Sequence, residues 1–359
     1  MWTPCNSADN VYNRKNMKTH TPLILMAFAC AALLLCASGC FRDKEDEFSE
    51  NFYVFRMAET HPNGFPTTLA DNYFARLVNE RSHGRITIKV YAGSKLGDEK
   101  STIEQVQYGG IDFARVSVAP LTNFYSDLGV LSLPYIYENR AHQWEVLNGK
   151  VGHQLLSGLK QVGFYGLCYY DSGARSFYST TPIRSISDIA GKRIRIQETK
   201  ITDSFIRRLG AIPVPITYGE SLGALQRNDI DGAENNWSSY ETSGHHTVAQ
   251  YYSNDEHSRT PEVVIASALV MDKLTLNDRM LILQCAQDSV MYQMEQWQRY
   301  EDEAKQRMLD SGIEYIEIAP DALTEFKKAA IRTYRELPPH LSNVLEEIFE
   351  SGQKYRLSQ

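Results

Sequence analysis

The sequence predicts an α/β protein of two units tied by one long helix, and three observations predict it. Helix-type and strand-type patterns alternate along the body. That alternation occurs twice. Near the C-terminus, Leu276 to Ser311 is nearly free of glycine and proline. Alternating strands and helices are the mark of sheets covered by helices, here read as mostly parallel. The remaining 300 or so residues after the N-terminal segment are enough for two such units.

In the first unit, TTLADNYFARLVNER (Thr67 to Arg81) repeats apolar residues at helical spacing, at Leu69, Tyr73 and Leu77. Beyond Gly84, ITIKVY alternates as a strand. GSKLGD then reads as a turn, DEKSTIEQVQYGG as a helix ended by Gly109 and Gly110, and IDFARVSVA as another strand. In the second unit, Phe164 to Tyr170, Arg175 to Ser179 and Arg193 to Gln197 read as strands. Lys200 to Leu209 and Tyr218 to Arg227 read as helices, the latter closed at Asn228. Leu276 to Ser311 reads as one helix longer than the usual 8 to 20 residues, hence long enough to serve both units. The alternative is two helices broken near Gln284 to Ser289.

The N-terminus belongs to neither unit. LILMAFACAALLL (Leu23 to Leu35) follows the basic Lys18 and leads to Ala37-Ser38-Gly39-Cys40. It is too short for a membrane-spanning helix of roughly 20 residues, so residues 1–39 read as a secretory signal with its true start possible at Met17. The Ala-Ser-Gly-Cys run resembles a bacterial lipobox, which would make Cys40 a lipidated N-terminus; simple cleavage is the other reading. FRDKEDEFSEN reads as a solvated tether at 40–50, or else as a first helical turn.

Composition narrows the function. With 37 basic and 44 acidic residues the net charge is -7, which argues against a nucleic-acid partner. Beyond the signal and Cys40, only Cys168 and Cys285 remain of six cysteines; they form either a disulfide or two buried thiols. The motifs GxxxxGK[ST], HExxH, CxxC and GxSxG are all missing. His245-His246 and Asp255-Glu256-His257 have no compelling ligand spacing, so no metal is expected. Asp231 and Glu234 are paired carboxylates suited to acid–base work, without a nucleophile or cofactor signature beside them.

GKRIRIQE (Gly191 to Glu198) is more informative. Ile194 and Ile196 alternate with Arg193 and Arg195, so one face of the strand is apolar and the other cationic. A guanidinium stays charged at ordinary pH and is costly to bury without an anion. Parity does not separate the two arginines. The neighbouring runs DSGARSFY (from Asp171) and DGAENNWSSY (from Asp231), together with HPNGFP, GSKLGDEKSTIEQVQYGGIDFARVS, LPYIY, LGAIPVPITYGE, LQRNDIDGAENN and DEHSRTPE, stand in a distinctive order. This set resembles the DctP-type solute receptors of tripartite ATP-independent periplasmic (TRAP) transporters.

The resemblance implies a periplasmic-binding-protein-like fold: two lobes, a ligand cleft between them and a long helix spanning both. Lobe one would hold 51–172 plus 261–300, and lobe two 173–260 plus 301–359. It implies that Arg195 forms a two-pronged ion pair with a ligand carboxylate, assisted by Arg175 and Asn235, and it leaves Arg193 to the surface or to an internal ion pair. Planar guanidinium donors match a carboxylate, and an Asn amide both donates and accepts. Arg115, a charge within a buried-type strand, is expected at the cleft. Glu99 either accepts from ligand hydroxyls or lies on a solvated helix face. Tyr218 and Trp237 either stack on a sugar ring or pack the hinge, and His257 is either structural or a ligand contact.

The implied partners are an organic acid, a membrane-embedded TRAP permease driven by an ion gradient, and the membrane itself through a lipid anchor at Cys40. The implied location is periplasmic or otherwise extracytoplasmic, and no cofactor is implied. Glu99, a second arginine at Arg115 and aromatics near Asn235 suit a sugar acid, either a hexuronate or an aldonate. A C4-dicarboxylate is the near alternative, and a sialic or keto acid is a more distant one. Two other classes remain open: a lipid-anchored enzyme on acid sugars, with Arg195 as clamp and Glu99, Asp231 or His257 as base, and a ligand sensor signalling through a membrane kinase.

Overall fold

A computed structural model describes residues 50–358, so the signal-like segment, Cys40 and most of the tether lie outside the described residues. The chain forms β1 (Tyr53–Ala58), α1 (Pro66–Arg81), β2 (Ile86–Tyr91), α2 (Glu99–Gln107) and β3 (Phe113–Ser117). Two helices, α3 (Arg140–Asn148) and α4 (Lys150–Gly158), lead to β4 (Phe164–Tyr170). The local chemistry explains the boundaries. Pro66 begins α1, where a missing N–H is harmless. Asp98 caps α2 by accepting from Ser101 N at 2.8 Å. Gly109, at φ +73°, takes the left-handed conformation that ends it.

A first sheet has the order β2-β1-β3-β10-β4, where β10 is Glu262–Ser267. β1 runs parallel to β2 and β3, but β10 is antiparallel to both its neighbours. Four of the five strands therefore run the same way, as the mostly parallel reading expects, and only β10 is reversed, because it re-enters this sheet directly from β9 (Tyr251–Ser258) of the other sheet. Alternation places each face: Val263 and Ile265 enter one apolar core while Val264 and Ala266 enter the other.

The second sheet has the order β11-β9-β5-β8-β6-β7. Its strands are β5 (Arg175–Ser179), β6 (Arg193–Ile196), β7 (Ile212–Pro215), β8 (Gly232–Asn235), β9 (Tyr251–Ser258) and β11 (Glu314–Glu317). Helix α5 (Lys200–Arg208) lies between β6 and β7, and α6 (Ser221–Gln226) between β7 and β8. The latter begins three residues later than its apolar pattern suggests, because the Glu220 carboxylate accepts from Thr217 N and Oγ1 and holds 217–220 as a turn. Ile194 and Ile196 join the core containing Phe177, Phe205 and Phe326, whereas Ala233, Tyr178 and Tyr252 pack the opposite face.

This is a two-lobed α/β fold. The chain passes between the sheets at residues 171–174 and 259–261, and a third tie is α8 (Leu276–Asp310), a single unbroken helix of 35 residues capped by Thr275. Its Ile282, Cys285 and Ala286 pack under the first sheet, and its Ala304 and Met308 under the second. Midway, Gln293 accepts from Asp171 N at 2.8 Å and donates to Asp171 O at 2.9 Å, pinning one crossing to the helix. At the same crossing Gly173 has φ +64°, and a Cβ there would lie 3.0 Å from the Trp297 indole nitrogen.

Helices α9 (Pro320–Ile331) and α10 (Ser342–Ser358) close the chain. The tail from 301 was expected to stay with the second lobe. Its last helix instead returns to the first-lobe helices, where Ile348 enters the core of α3 and α4 and Glu347 pairs with Lys150 at 2.7 Å. The physical reason is that α3 and α4 need an apolar cover that α10 supplies. Cys168 and Cys285 are free, buried thiols.

Candidate functional site

Between the sheets lies a cavity of about 230 Å³. Ligand pockets for larger molecules run from about 300 Å³ upward, so this one suits a small solute. One wall comes from β5, β6 and β8, and the other from the β1–α1 turn, α2 and β10.

Arg195 sits on β6 near its carboxyl end, where strands of such sheets present ligands. It is 3% exposed. Its Nε donates to Ile216 O at 3.0 Å, and among the described residues no carboxylate lies within ion-pair distance of it. Burial pulls its pKa below the ordinary arginine value, against the attraction of Glu234. Arg193, on the same face two residues earlier, lies at the other end of the strand and is clasped by Asp231, with Nε at 3.1 Å and a terminal nitrogen at 2.7 Å. The strand thus holds one neutralised arginine and one buried cation without a counter-charge.

Arg175 also lines the cavity, but its charge is already met. Its Nε donates to Glu234 Oε2 at 2.5 Å and a terminal nitrogen to Glu234 Oε1 at 2.8 Å. Burial opposes ionisation of Glu234, yet Arg175 and His257 outweigh it and hold the carboxylate down to about 2. Arg175 further donates to Asn235 Oδ1 at 2.7 Å, which also accepts from Asn236 N at 3.0 Å. With Oδ1 occupied by two donors, the Asn235 amide turns its Nδ2 donors to the cavity. The wall therefore offers N–H donors from Arg195 and Asn235, an arrangement made for a carboxylate.

The opposite wall is built around Arg115 on β3, whose side chain is wholly buried. It was expected at the cleft, as a second arginine in contact with the ligand. The structure instead surrounds it with acids: its Nε donates to Glu59 Oε2 at 2.9 Å, and one terminal nitrogen donates to Glu99 Oε1 at 2.9 Å and Glu262 Oε2 at 2.7 Å. Burial disfavours its charge, but these carboxylates raise its pKa well above the usual arginine value. Glu99 and Glu262 stand between it and the cavity.

Of the other expected residues, Glu99 and Tyr218 line the cavity, and Tyr218 donates its hydroxyl to Ser239 O at 3.2 Å. Trp237 lines no part of it. Its ring stacks on Tyr252 at 3.5 Å within the second-lobe core, because α7 (Trp237–Thr242) turns away immediately after the ligand-facing Asn235 and Asn236. His257 is likewise behind the wall: its Nδ1 lies 3.0 Å from the Asp255 carboxylate and its Nε2 3.5 Å from Glu234 Oε2. Burial would lower its pKa, but Asp255 and Glu234 raise it to about 9.

Sequence reasoning missed Glu262, His61 and Trp297. Glu262 closes the DEHSRTPE run and His61 opens HPNGFP, so both were within reach. Trp297 is one of three aromatics on α8, with Tyr292 and Tyr300, and nothing local marked it. Among the described residues, no group of three or more His, Cys, Asp or Glu side chains is placed to hold a metal ion, and no helix is long and apolar enough to cross a membrane.

The family profile described as bacterial extracellular solute-binding protein, family 7, matches residues 57–339. The chain belongs to that family. Among curated relatives of this family 7 protein, a solute-binding protein of Chromohalobacter salexigens is 32% identical over 290 residues, 80% of this chain and 86% of the relative. Among solved structures, a TRAP periplasmic solute-binding protein of Xanthobacter autotrophicus Py2 with bound β-D-galacturonate is 37% identical, covering 82% of this chain and 98% of that one at a TM-score of 0.80. Another, from Roseobacter denitrificans with bound β-D-glucuronate, is 31% identical, covering 82% and 99% at a TM-score of 0.80. The expected likeness to TRAP receptors is met, and the acid-sugar enzyme reading falls, since the family and these neighbours are solute-binding proteins. Such receptors bind organic acids and work with membrane permease components.

Proposed function

We propose that this protein is the extracytoplasmic receptor for a sugar acid, most simply a hexuronate, which it hands to a TRAP permease. The observation that carries the reading is Arg195: a cation 3% exposed, lining the cavity, with a backbone carbonyl as its protein acceptor. An incoming carboxylate supplies the missing charge, while Asn235 adds a donor and Arg175, tied to Glu234, holds Asn235 in place. Closing the lobes over that pair excludes water and strengthens it. The uronates in similar solved structures support the ligand class. A C4-dicarboxylate fits less well, because its second charge would face Glu99 and Glu262.

The lobe limits 51–172 plus 261–300 and 173–260 plus 301–331 belong to the same proposal, with α10 returned to the first lobe. So does a lipid anchor at Cys40, which Cys40→Ser would abolish, moving the protein from the membrane fraction to the soluble one. A thermal-shift screen tests the ligand class, since a tight ligand raises the unfolding midpoint by mass action. Glucuronate, galacturonate or gluconate should raise it at concentrations where malate and succinate do not; a larger shift with the C4 acids would refute the sugar-acid reading.

A further inference from the structure

The carboxylate-binding wall accounts for one end of a ligand, and the facing wall has a different chemistry. Glu99 uses Oε1 to accept from Arg115 and from Ser117 N at 3.0 Å, and Glu262 uses Oε2 to accept from Arg115. Glu99 Oε2 and Glu262 Oε1 have no partner among the described residues, although Glu262 is only 7% exposed and both residues line the cavity. Trp297, 2% exposed, lines the same cavity, and its indole N–H has no acceptor among the described residues. Glu59, Glu99 and Glu262 surround a single guanidinium, and Lys100 at the cavity edge is paired with Glu198 at 3.3 Å, so the acids of this wall outnumber the cation among them; burial raises the pKa of Glu262 while Arg115 pulls it down. Ionised carboxylates accept hydrogen bonds and donate none.

From this polarity, resting on the sugar-acid reading above, we propose that Glu99 and Glu262 determine specificity at the ligand end remote from its carboxylate. They accept hydrogen bonds from hydroxyl groups there and reject a second carboxylate. A hexuronic acid then binds, whereas the hexaric acid with the same carbon chain, oxidised at both ends, does not. Arg115 is the positioning residue of this filter. It fixes one oxygen of each glutamate so that the other meets the ligand, and it leaves the wall with excess negative charge.

The discrimination should be large, because a like charge loses the hydroxyl's hydrogen bond and also meets repulsion. Titration calorimetry of the wild-type protein with glucuronate and galacturonate against glucarate and galactarate is the test. A uronate is expected to bind at least about a hundredfold more tightly than its hexarate. Glu262→Gln and Glu99→Gln keep shape and an acceptor for Arg115, and at least one should narrow that ratio by about tenfold or more. The partly exposed Glu99 serves if Glu262→Gln does not fold. Equal binding of uronate and hexarate by the wild type, or a ratio unmoved in both folded variants, overturns the filter and leaves the receptor reading standing. Folded protein that binds neither class overturns both.

Discussion

Arg115 and Arg195 are two buried arginines in facing walls of one cleft, 1% and 3% exposed, yet they have opposite surroundings. Arg115 is ringed by Glu59, Glu99 and Glu262. Arg195 has a carbonyl. Burial penalises both charges, and in the first wall the fold supplies more than enough compensation, while in the second the attraction of Glu234, which is not in ion-pair contact, falls short of it. The difference separates an arginine that organises a wall from one that waits for a ligand, and burial alone would never have told them apart.

The sharpest break of this comparison should come from Arg115→Met. It leaves three carboxylates around a buried void of charge, and urea unfolding should show a loss of about 3–5 kcal/mol. A loss under about 1 kcal/mol would mean that the ring is not an ion cluster. Next is His257, which with Glu234 supports Arg175. Its folded pKa, about 9, lies above the unfolded value near 6.5. Its contribution is therefore full below pH 6.5, declines above that, and is lost as pH rises through 9, an effect on the order of 2–3 kcal/mol. His257→Gln should flatten the stability profile between pH 6.5 and 9; an unchanged slope would show that Asp255 and Glu234 do not hold its proton.

A smaller effect belongs to Glu301 on α8. Its carboxylate accepts from Trp237 N at 3.0 Å and Ser238 N at 2.9 Å, capping α7 directly after Asn235 and Asn236. Burial pushes it up to about 7 despite those hydrogen bonds. Here too the folded value exceeds the unfolded one, so its contribution is full below about pH 4.5 and lost as pH rises through 7. Glu301→Gln should weaken uronate affinity by only a few-fold, about 0.5–1 kcal/mol for one altered cap, and remove the stability slope between pH 4.5 and 7. A loss of a hundredfold would make it a ligand contact instead.

Much of the scaffold was legible because its signals are local. Asp98 and Gly109 mark the ends of α2, and the unbroken run from Leu276 gives α8. Arg195 stood out through its motif. What hid was set by distant partners. Strand parity gives Arg193 and Arg195 the same face, and only Asp231, 38 residues on, separates them. The neutralisation of Arg115 depends on Glu59 and Glu262, 56 and 147 residues away. Trp237 could stack on a sugar or pack within the fold, and only the distant Tyr252, stacked on its ring at 3.5 Å, decides for packing. The short β8, GAEN, has too few residues to show any periodicity at all.

The most direct measurement is calorimetric titration of a hexuronate into the wild type and Arg195→Met, paired with unfolding of each unliganded protein. Losing one member of a desolvated charge pair costs about 2–5 kcal/mol, so affinity should fall by about one and a half to three and a half decades at roughly 1.4 kcal/mol per decade. The unliganded variant should be as stable as the wild type or more so, because no carboxylate is orphaned. Unchanged affinity, or a loss of unliganded stability as deep as that of Arg115→Met, would contradict the account.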